Sequence, residues 1–200
     1  MARDAGRNLL RENIANIAAR LMAEDGIEDY AKAKRKAAHQ AGATDTRQLP
    51  TNDEIDIALA RYREVFQSGH ADTLSQMREL ALEVMEEFGA FNPHLTGSVL
   101  RGNAGKYADI YLQLFCESSK SVEHQLLDRS IAFHTEDARF YAGELEVRAP
   151  VLVFERAGIQ FYLTVLSPRD QRLQLKASPA GKPIERASIE AVALLLANAD

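Results

Sequence analysis

The spacing of the apolar residues changes once along this sequence, near Phe91-Asn92-Pro93. Before that point apolar residues recur every three or four positions, which is typical of amphipathic helices. After it they alternate with polar residues or run together, as in residues 108–115 and 159–166, which favours strands. The sequence therefore predicts an α+β protein, in which a helical region over residues 1–90 shares one core with a mixed β-sheet domain over residues 91–200.

Individual elements can be placed within these two regions. Thr51-Asn52-Asp53-Glu54 has the pattern of a capping box, so a helix is expected to begin there. We expect helices 53–67 and 73–88 to form an antiparallel pair, because the turn between them is short. The second of them carries an apolar stripe that we expect to face the sheet, formed by Leu74, Met77, Ala81, Val84 and Phe88.

The sheet is predicted to span residues 95–166. We expect a strand over residues 94–100, a central strand at 108–115, a helix at 121–127 and a hairpin that joins 151–154 to 159–166. The strand at 108–115 is apolar at nearly every position after Asp109, which is typical of a strand covered on both faces. A last helix is predicted over residues 188–197.

Charge and composition exclude several classes of protein. The formal net charge is −5, which argues against a nucleic-acid-binding function. One basic cluster, Lys32 to Lys36, is interpreted as a solvated helix surface, with an RNA, a phosphate or an acidic partner as the alternative. A single cysteine cannot form an internal disulfide. Without an apolar run of about 20 residues or a secretory leader, we expect a cytoplasmic protein with no membrane partner.

One short stretch, from Gly97 to Asp109, contains residues that suggest a chemical function. Gly97-Ser98 is followed by Arg101-Gly102 and then by Asp109 at the start of a strand. This order resembles the signature of the nucleotidyltransferase superfamily, which has the polymerase-beta-like fold. In that family a Gly-Ser turn ends the first strand, an Arg-Gly often follows, and the next strand carries Asp-x-Asp. A glycine lets backbone approach a triphosphate, and carboxylates at i and i+2 share one face of a strand.

The resemblance implies a role for each matching residue. Asp109 is implied as the catalytic and metal-binding carboxylate, with Mg²⁺ as the one cofactor. Phosphate or nucleotide contacts are implied for Gly97, Ser98, Arg101 and Gly102. Lys106, in the glycine-containing loop between the two strands, could also touch phosphate.

The match is incomplete at the carboxylates that would bind metal ions. Tyr111 stands where the second carboxylate belongs, and a phenol is a poor Mg²⁺ ligand because it is neutral below a pKa of about 10. The strand expected to carry the third carboxylate, residues 159–166, contains no acid. Its polar positions are Gln160, Tyr162 and Thr164. We therefore expect a catalytically degenerate nucleotidyltransferase-like protein that binds a nucleotide or another phosphate ligand.

Two alternatives remain open. One is an atypical but active metal-dependent nucleotidyltransferase. The other is a scaffold without enzymatic activity, whose helical region binds a partner protein. Near the C-terminus, Arg172 and Arg186 are expected to form salt bridges, with phosphate binding as the alternative role.

Overall fold

A computed structural model describes residues 2–24, 27, 29–43, 49–66, 69–105, 107–179 and 181–198. The chain divides into two compact units. The helical unit takes in the described residues of Met1–Thr73 together with Gly105–Tyr107, and the sheet unit takes in those of Leu74–Ala104 and Ala108–Asp200. This division follows packing, whereas the sequence-based boundary at residue 90 follows the change in apolar spacing.

The helical unit contains α1 (Ala2–Glu24), α2 (Tyr30–Gln40) and α3 (Asn52–Phe66). Helix α1 packs against both of the others. Its buried side includes several alanines, which allow the helices to approach closely, and the cluster also contains Ile14, Ile55 and Leu59. The predicted capping box is confirmed: the Thr51 N–H donates to Glu54 Oε2 at 2.6 Å, and the Glu54 N–H donates to Thr51 Oγ1 at 3.2 Å.

The sheet unit alternates helices and strands. Its helices are α4 (His70–Glu87, from Leu74 onward), α5 (Gly97–Arg101), α6 (Ser119–Asp128) and α7 (Ile189–Ala197). Its strands are β1 (His94–Thr96), β2 (Ile110–Phe115), β3 (His134–Ala142), β4 (Leu145–Arg156) and β5 (Ile159–Leu166). Short 3-10 helices occur at Gly89–Phe91 and Pro168–Arg172.

The strands form one five-stranded mixed sheet in the order β1-β2-β5-β4-β3. Strands β2 and β5 are parallel, and the other neighbours are antiparallel. The predictions of an α+β protein and of one mixed sheet are confirmed. The prediction that residues 108–115 form a central strand is confirmed in part: β2 is internal and paired on both sides, but the middle strand of the sheet is β5.

One face of the sheet, here called the helix face, is apolar and covered by helices. The strand residues that share this face alternate along each strand and are buried: Ile110, Leu112, Leu114, Leu152, Phe154, Phe161, Leu163 and Val165. They form one cluster with Val84 of α4, Leu126 of α6 and Val192 of α7. Because Met77, Ala81, Val84 and Phe88 are buried in this cluster and Leu74 packs against it, the predicted stripe of α4 does face the sheet.

Some predicted elements differ from the structure. The expected strand over residues 94–100 ends at Thr96, because Gly97 has a left-handed φ of 78° and a helix begins there. Strand β3 and the first half of β4 were not predicted. The predicted antiparallel pairing of α3 with α4 stays a prediction, since these helices belong to different units. Within the described residues, no helix combines the length and apolar character that crossing a bilayer requires.

The packing of α4 can be tested by placing a charge in it. Val84 is fully buried, so Val84→Asp is expected to destabilise the protein by about 3 kcal/mol or more, because a carboxylate loses its hydration without gaining a partner. Urea denaturation followed by far-UV circular dichroism measures the change. Glu86→Asp, at an exposed position of the same helix, is the control and should change the unfolding free energy little. Equal stability of the two variants would mean that α4 is not packed on the sheet.

Candidate functional site

Two features of the structure favour glycine at position 97: its backbone conformation and the nearby ring of Tyr111. Its φ of 78° lies in the left-handed region, which favours glycine. A Cβ atom added there would lie 3.3 Å from Cδ2 of Tyr111. Ser98 follows as the second residue of α5, and its Oγ is buried with no hydrogen-bond partner in the described part of the chain. The hydroxyl therefore lacks a partner but is shielded from solvent, and leaving it unsatisfied costs about 1–3 kcal/mol.

The Arg101-Gly102 pair ends this short helix. Arg101 is the last residue of α5 and is exposed. Gly102 is the left-handed C-cap, with φ 79°. Arg78 of α4 donates from Nε to the Val99 carbonyl at 3.2 Å and from Nη2 to the Leu100 carbonyl at 3.1 Å. Gly102 thus has a structural reason to be glycine, while Arg101 remains available to bind an anion.

Asp109 lies directly before β2 and is half-buried. Ala108 belongs to the helix-face cluster, so alternation places Asp109 on the opposite face with Tyr111. Among the described residues Asp109 has no hydrogen-bond or ion-pair partner. Burial raises the pKa of its carboxyl group, because a desolvated carboxylate without a cation nearby is less stable in its charged form.

Two tyrosines occupy the next positions on the same face. Tyr111 of β2 pairs directly with Tyr162 of β5 in the parallel register. Their ring centroids are 4.8 Å apart and the planes are inclined by 17°, so the rings stack. Both side chains are half-buried. The position where the resemblance expects a second carboxylate therefore carries one half of an aromatic pair.

The tyrosine pair belongs to a larger polar surface, here called the polar face, which is the side of the sheet opposite the helix face. Its members alternate along β1, β2 and β5: Thr96, Asp109, Tyr111, Gln113, Gln160, Tyr162 and Thr164. Thr96 donates from Oγ1 to the Tyr111 carbonyl at 3.2 Å. Gln113 is only 3% exposed, and its Oε1 has no partner among the described residues. The signal in the sequence was polar residues at every second position of an otherwise apolar strand.

The structure thus brings together some of the sequence-predicted residues. Gly97 lies near Tyr111, since a Cβ atom added to it would be 3.3 Å from the Tyr111 ring. Asp109 lies on the same face at the same end of the sheet, because β1 ends where β2 begins. Arg101 and Gly102 lie at the other end of α5 from Gly97. Lys106 lies outside the described residues.

The donor atoms near Asp109 do not fit a two-metal site. Ile110 pairs with Phe161 in the parallel register. The residue of β5 next to Asp109 is therefore Gln160, whose side chain is an amide. Glu155, which pairs with Gln160 from β4, is one strand further away and exposed. Within the described ranges, no group of three histidine, cysteine, aspartate or glutamate residues could hold a metal ion. Mg²⁺ needs near-octahedral oxygen coordination, and one carboxylate beside an amide and phenols is a weak basis for it.

The salt bridge expected for Arg186 is not formed with any described residue. Its Nη1 donates to the Gln171 carbonyl at 2.9 Å, and its guanidinium carbon lies 5.3 Å from the centroid of the Phe115 ring. Burial lowers the pKa of Arg186, and the nearby Asp170 acts in the opposite direction. Arg172 is exposed, at the end of the 3-10 helix Pro168–Arg172.

Comparison with protein-family models, with curated proteins and with solved structures gives no match. The resemblance over Gly97–Asp109 therefore stays a prediction. Function has to be inferred from the geometry of the polar face.

The raised pKa of Asp109 has a measurable consequence. The folded protein keeps this proton to a higher pH than the unfolded chain, so its stability falls as the pH rises through that interval. Asp109→Asn removes this pH-dependent loss of stability and should therefore raise Tm by a few degrees at most at pH 7. The gain should vanish below about pH 3, where both states are protonated. Thermal unfolding at the two pH values measures it.

Asp128→Asn is the control, because Asp128 is exposed at the end of α6. A lower Tm for Asp109→Asn at neutral pH would contradict the interpretation. It would mean that the ionised carboxylate stabilises the fold.

Proposed function

We propose that the polar face of the sheet unit binds a nucleotide or another phosphate-containing ligand, and that it does not catalyse nucleotide transfer. The observation that carries this proposal is the stacked pair of Tyr111 and Tyr162, which stands beside a single desolvated carboxylate, Asp109. An aromatic pair can bind a base, but it cannot hold the metal ions that transfer requires.

The phosphate end of the proposed site is at Gly97-Ser98. The Ser98 hydroxyl has no partner in the described part of the chain, and Gly97 keeps backbone accessible where a side chain would intrude. Arg101 is exposed on the same short helix and carries a cation that phosphate oxygens could pair with. Asp109 is the one acid among the polar-face members of β1, β2 and β5, and Glu155, on the same side of β4, is exposed. An anionic ligand therefore meets little repulsion there, and less still when the Asp109 carboxyl group is protonated.

The base end of the proposed site is the tyrosine pair. Both tyrosines are accessible in part, and neighbouring Gln160 is half-buried with an amide that can donate and accept. Stacking of a base on an aromatic side chain contributes about 1–3 kcal/mol, which is enough for a site of modest affinity. A Cβ atom added to Gly97 would lie 3.3 Å from Cδ2 of Tyr111, so the proposed base and phosphate contacts lie within the reach of one nucleotide.

An active enzyme is the weaker candidate. Transfer through two metal ions needs carboxylates that clamp both the attacking and the leaving oxygen. Tyr111 and Tyr162 supply neutral phenols, and Gln160 supplies an amide. A site of this composition can hold phosphate through hydroxyl, guanidinium and backbone N–H groups without a metal.

A second candidate function is protein binding by the helical unit. Leu9 of α1 and Ile57 of α3 are 67% and 56% exposed, although both are large and apolar. Ile57 lines a groove of about 280 Å³ between these helices, and Arg11, Glu54 and Arg61 also line it. Exposed apolar residues beside charged ones are typical of a surface that binds another protein. This candidate is compatible with the first, because it uses a different unit of the chain.

Isothermal titration calorimetry tests the proposed nucleotide site. ATP, GTP, CTP and UTP are titrated into the protein with Mg²⁺ and then with a chelator, and we expect weak binding that changes little between the two conditions. Tyr162→Leu removes one ring of the stack and should weaken binding about tenfold, which corresponds to a stacking contribution of about 1.4 kcal/mol. Tyr141→Leu, on the edge strand β3, is the matched control.

Two outcomes would contradict the proposal. Binding that requires Mg²⁺ and disappears in Asp109→Asn would support an active metal site instead. If none of the four nucleotides binds, while pull-down experiments with Ile57→Asp show a lost protein partner, the function lies on the helical unit.

A further inference from the structure

Arg186 lies at the opposite end of the polar face from Asp109. Ala187 forms an antiparallel bridge with Leu95 of β1, and both are buried in the helix-face cluster. Alternation therefore places Arg186 on the other side, toward the polar face. Its guanidinium lies over Phe115, the last residue of β2, whose ring also meets His94 edge-on. Arg186 thus covers the end of the sheet where β2 finishes.

The hydrogen bonds of Arg186 leave one edge of its guanidinium unused. Nη1 donates to the Gln171 carbonyl. Nε and Nη2 are buried, and neither has a partner among the described residues. These two nitrogens form the edge that binds a carboxylate or phosphate with two parallel hydrogen bonds. The same edge of Arg11 in this protein does so with Glu54, at 2.8 Å from Nε and 2.7 Å from Nη2.

An unsatisfied guanidinium edge in a shielded place is costly. Stacking on Phe115 stabilises the cation but satisfies no N–H group. Each buried donor without an acceptor costs about 1–3 kcal/mol, and more when it is charged. Gln113, which is 3% exposed and lies two residues before Phe115 on the same face, also has a buried side-chain oxygen without a partner. Gln113 of β2, and Arg186 over Phe115 of the same strand, thus both have buried polar atoms without partners among the described residues.

We propose that the Nε–Nη2 edge of Arg186 is an anion-binding site that takes a carboxylate or a phosphate group at the Phe115 end of the polar face. The bound group supplies the acceptor oxygens that the described chain does not. Because the edge is shielded from water, attraction between the ion and the guanidinium is screened less than at the surface. This site goes beyond the nucleotide site proposed above, since it lies at the other end of β2 and uses none of the same residues.

The test uses inorganic phosphate and acetate as probes of the two anion classes. Tm of the full chain is measured with each anion and with chloride at equal ionic strength, and calorimetry gives the Kd. We expect phosphate, acetate or both to raise Tm above its value in chloride. Arg186→Met should weaken binding at least tenfold. Arg172→Met, at an exposed arginine next to Gln171, is the control and should leave binding unchanged.

Arg186→Lys keeps the positive charge but lacks the edge of two nitrogens, so it should also weaken binding about tenfold. It is the second test variant if Arg186→Met does not fold. An anion effect that is undiminished in both Arg186 variants would overturn the proposal, since the contribution of the Gly97-Ser98 site is the same in all three proteins. So would the absence of any effect of either anion on the wild-type protein. Loss of phosphate binding in Arg186→Met with unchanged ATP binding would separate this site from the one at Gly97-Ser98.

Discussion

The parallel pairing of β2 with β5 is the constraint on which the sheet unit depends. Parallel neighbours cannot be joined by a tight turn, so the chain between them must leave the sheet and return. Here that connection contains α6 and the strands β3 and β4, which extend the sheet on the far side of β5. The same pairing brings the starts of β2 and β5 to one end of the sheet, where Asp109 stands beside Gln160 and Tyr111 beside Tyr162.

The pairing of β2 with β5 also gives the two faces of the sheet different kinds of side chain. On the helix face each pair is apolar, as in Leu112 with Leu163, and the helices remove these residues from water. On the other face Tyr111 lies beside Tyr162 and Gln113 beside Thr164, whereas the last pair, Phe115 with Leu166, is buried in a second apolar cluster. Burying polar groups stabilises nothing unless they find partners. The buried Gln113 oxygen, which lacks a partner among the described residues, is therefore a cost that the packing of this face does not explain.

Much of the fold could be predicted from the sequence, because its signals are local. The capping box at Thr51 and the apolar periodicity of α4 each depend on residues within a few turns of helix. Strand β3 could not be predicted in this way. Most of its residues are exposed, it is rich in charged side chains, and it is held by its pairing with β4, so periodicity carried no signal. The candidate site was predicted in part, through Gly97, Ser98 and Asp109. The contact between Tyr111 and Tyr162 depends on the register of two strands that are distant in sequence, which no local pattern specifies.

The bridge between Leu95 and Ala187 has a consequence for the order of assembly during synthesis. Strand β1 has only three residues, and its outer edge is hydrogen-bonded to a segment that leaves the ribosome much later. Until Ala187 emerges, the outer edge of β1 beside Gly97 exposes unpaired backbone groups. The sheet unit can therefore close only after nearly all of it has been made, whereas α1, α2 and α3 form their contacts from the first part of the chain.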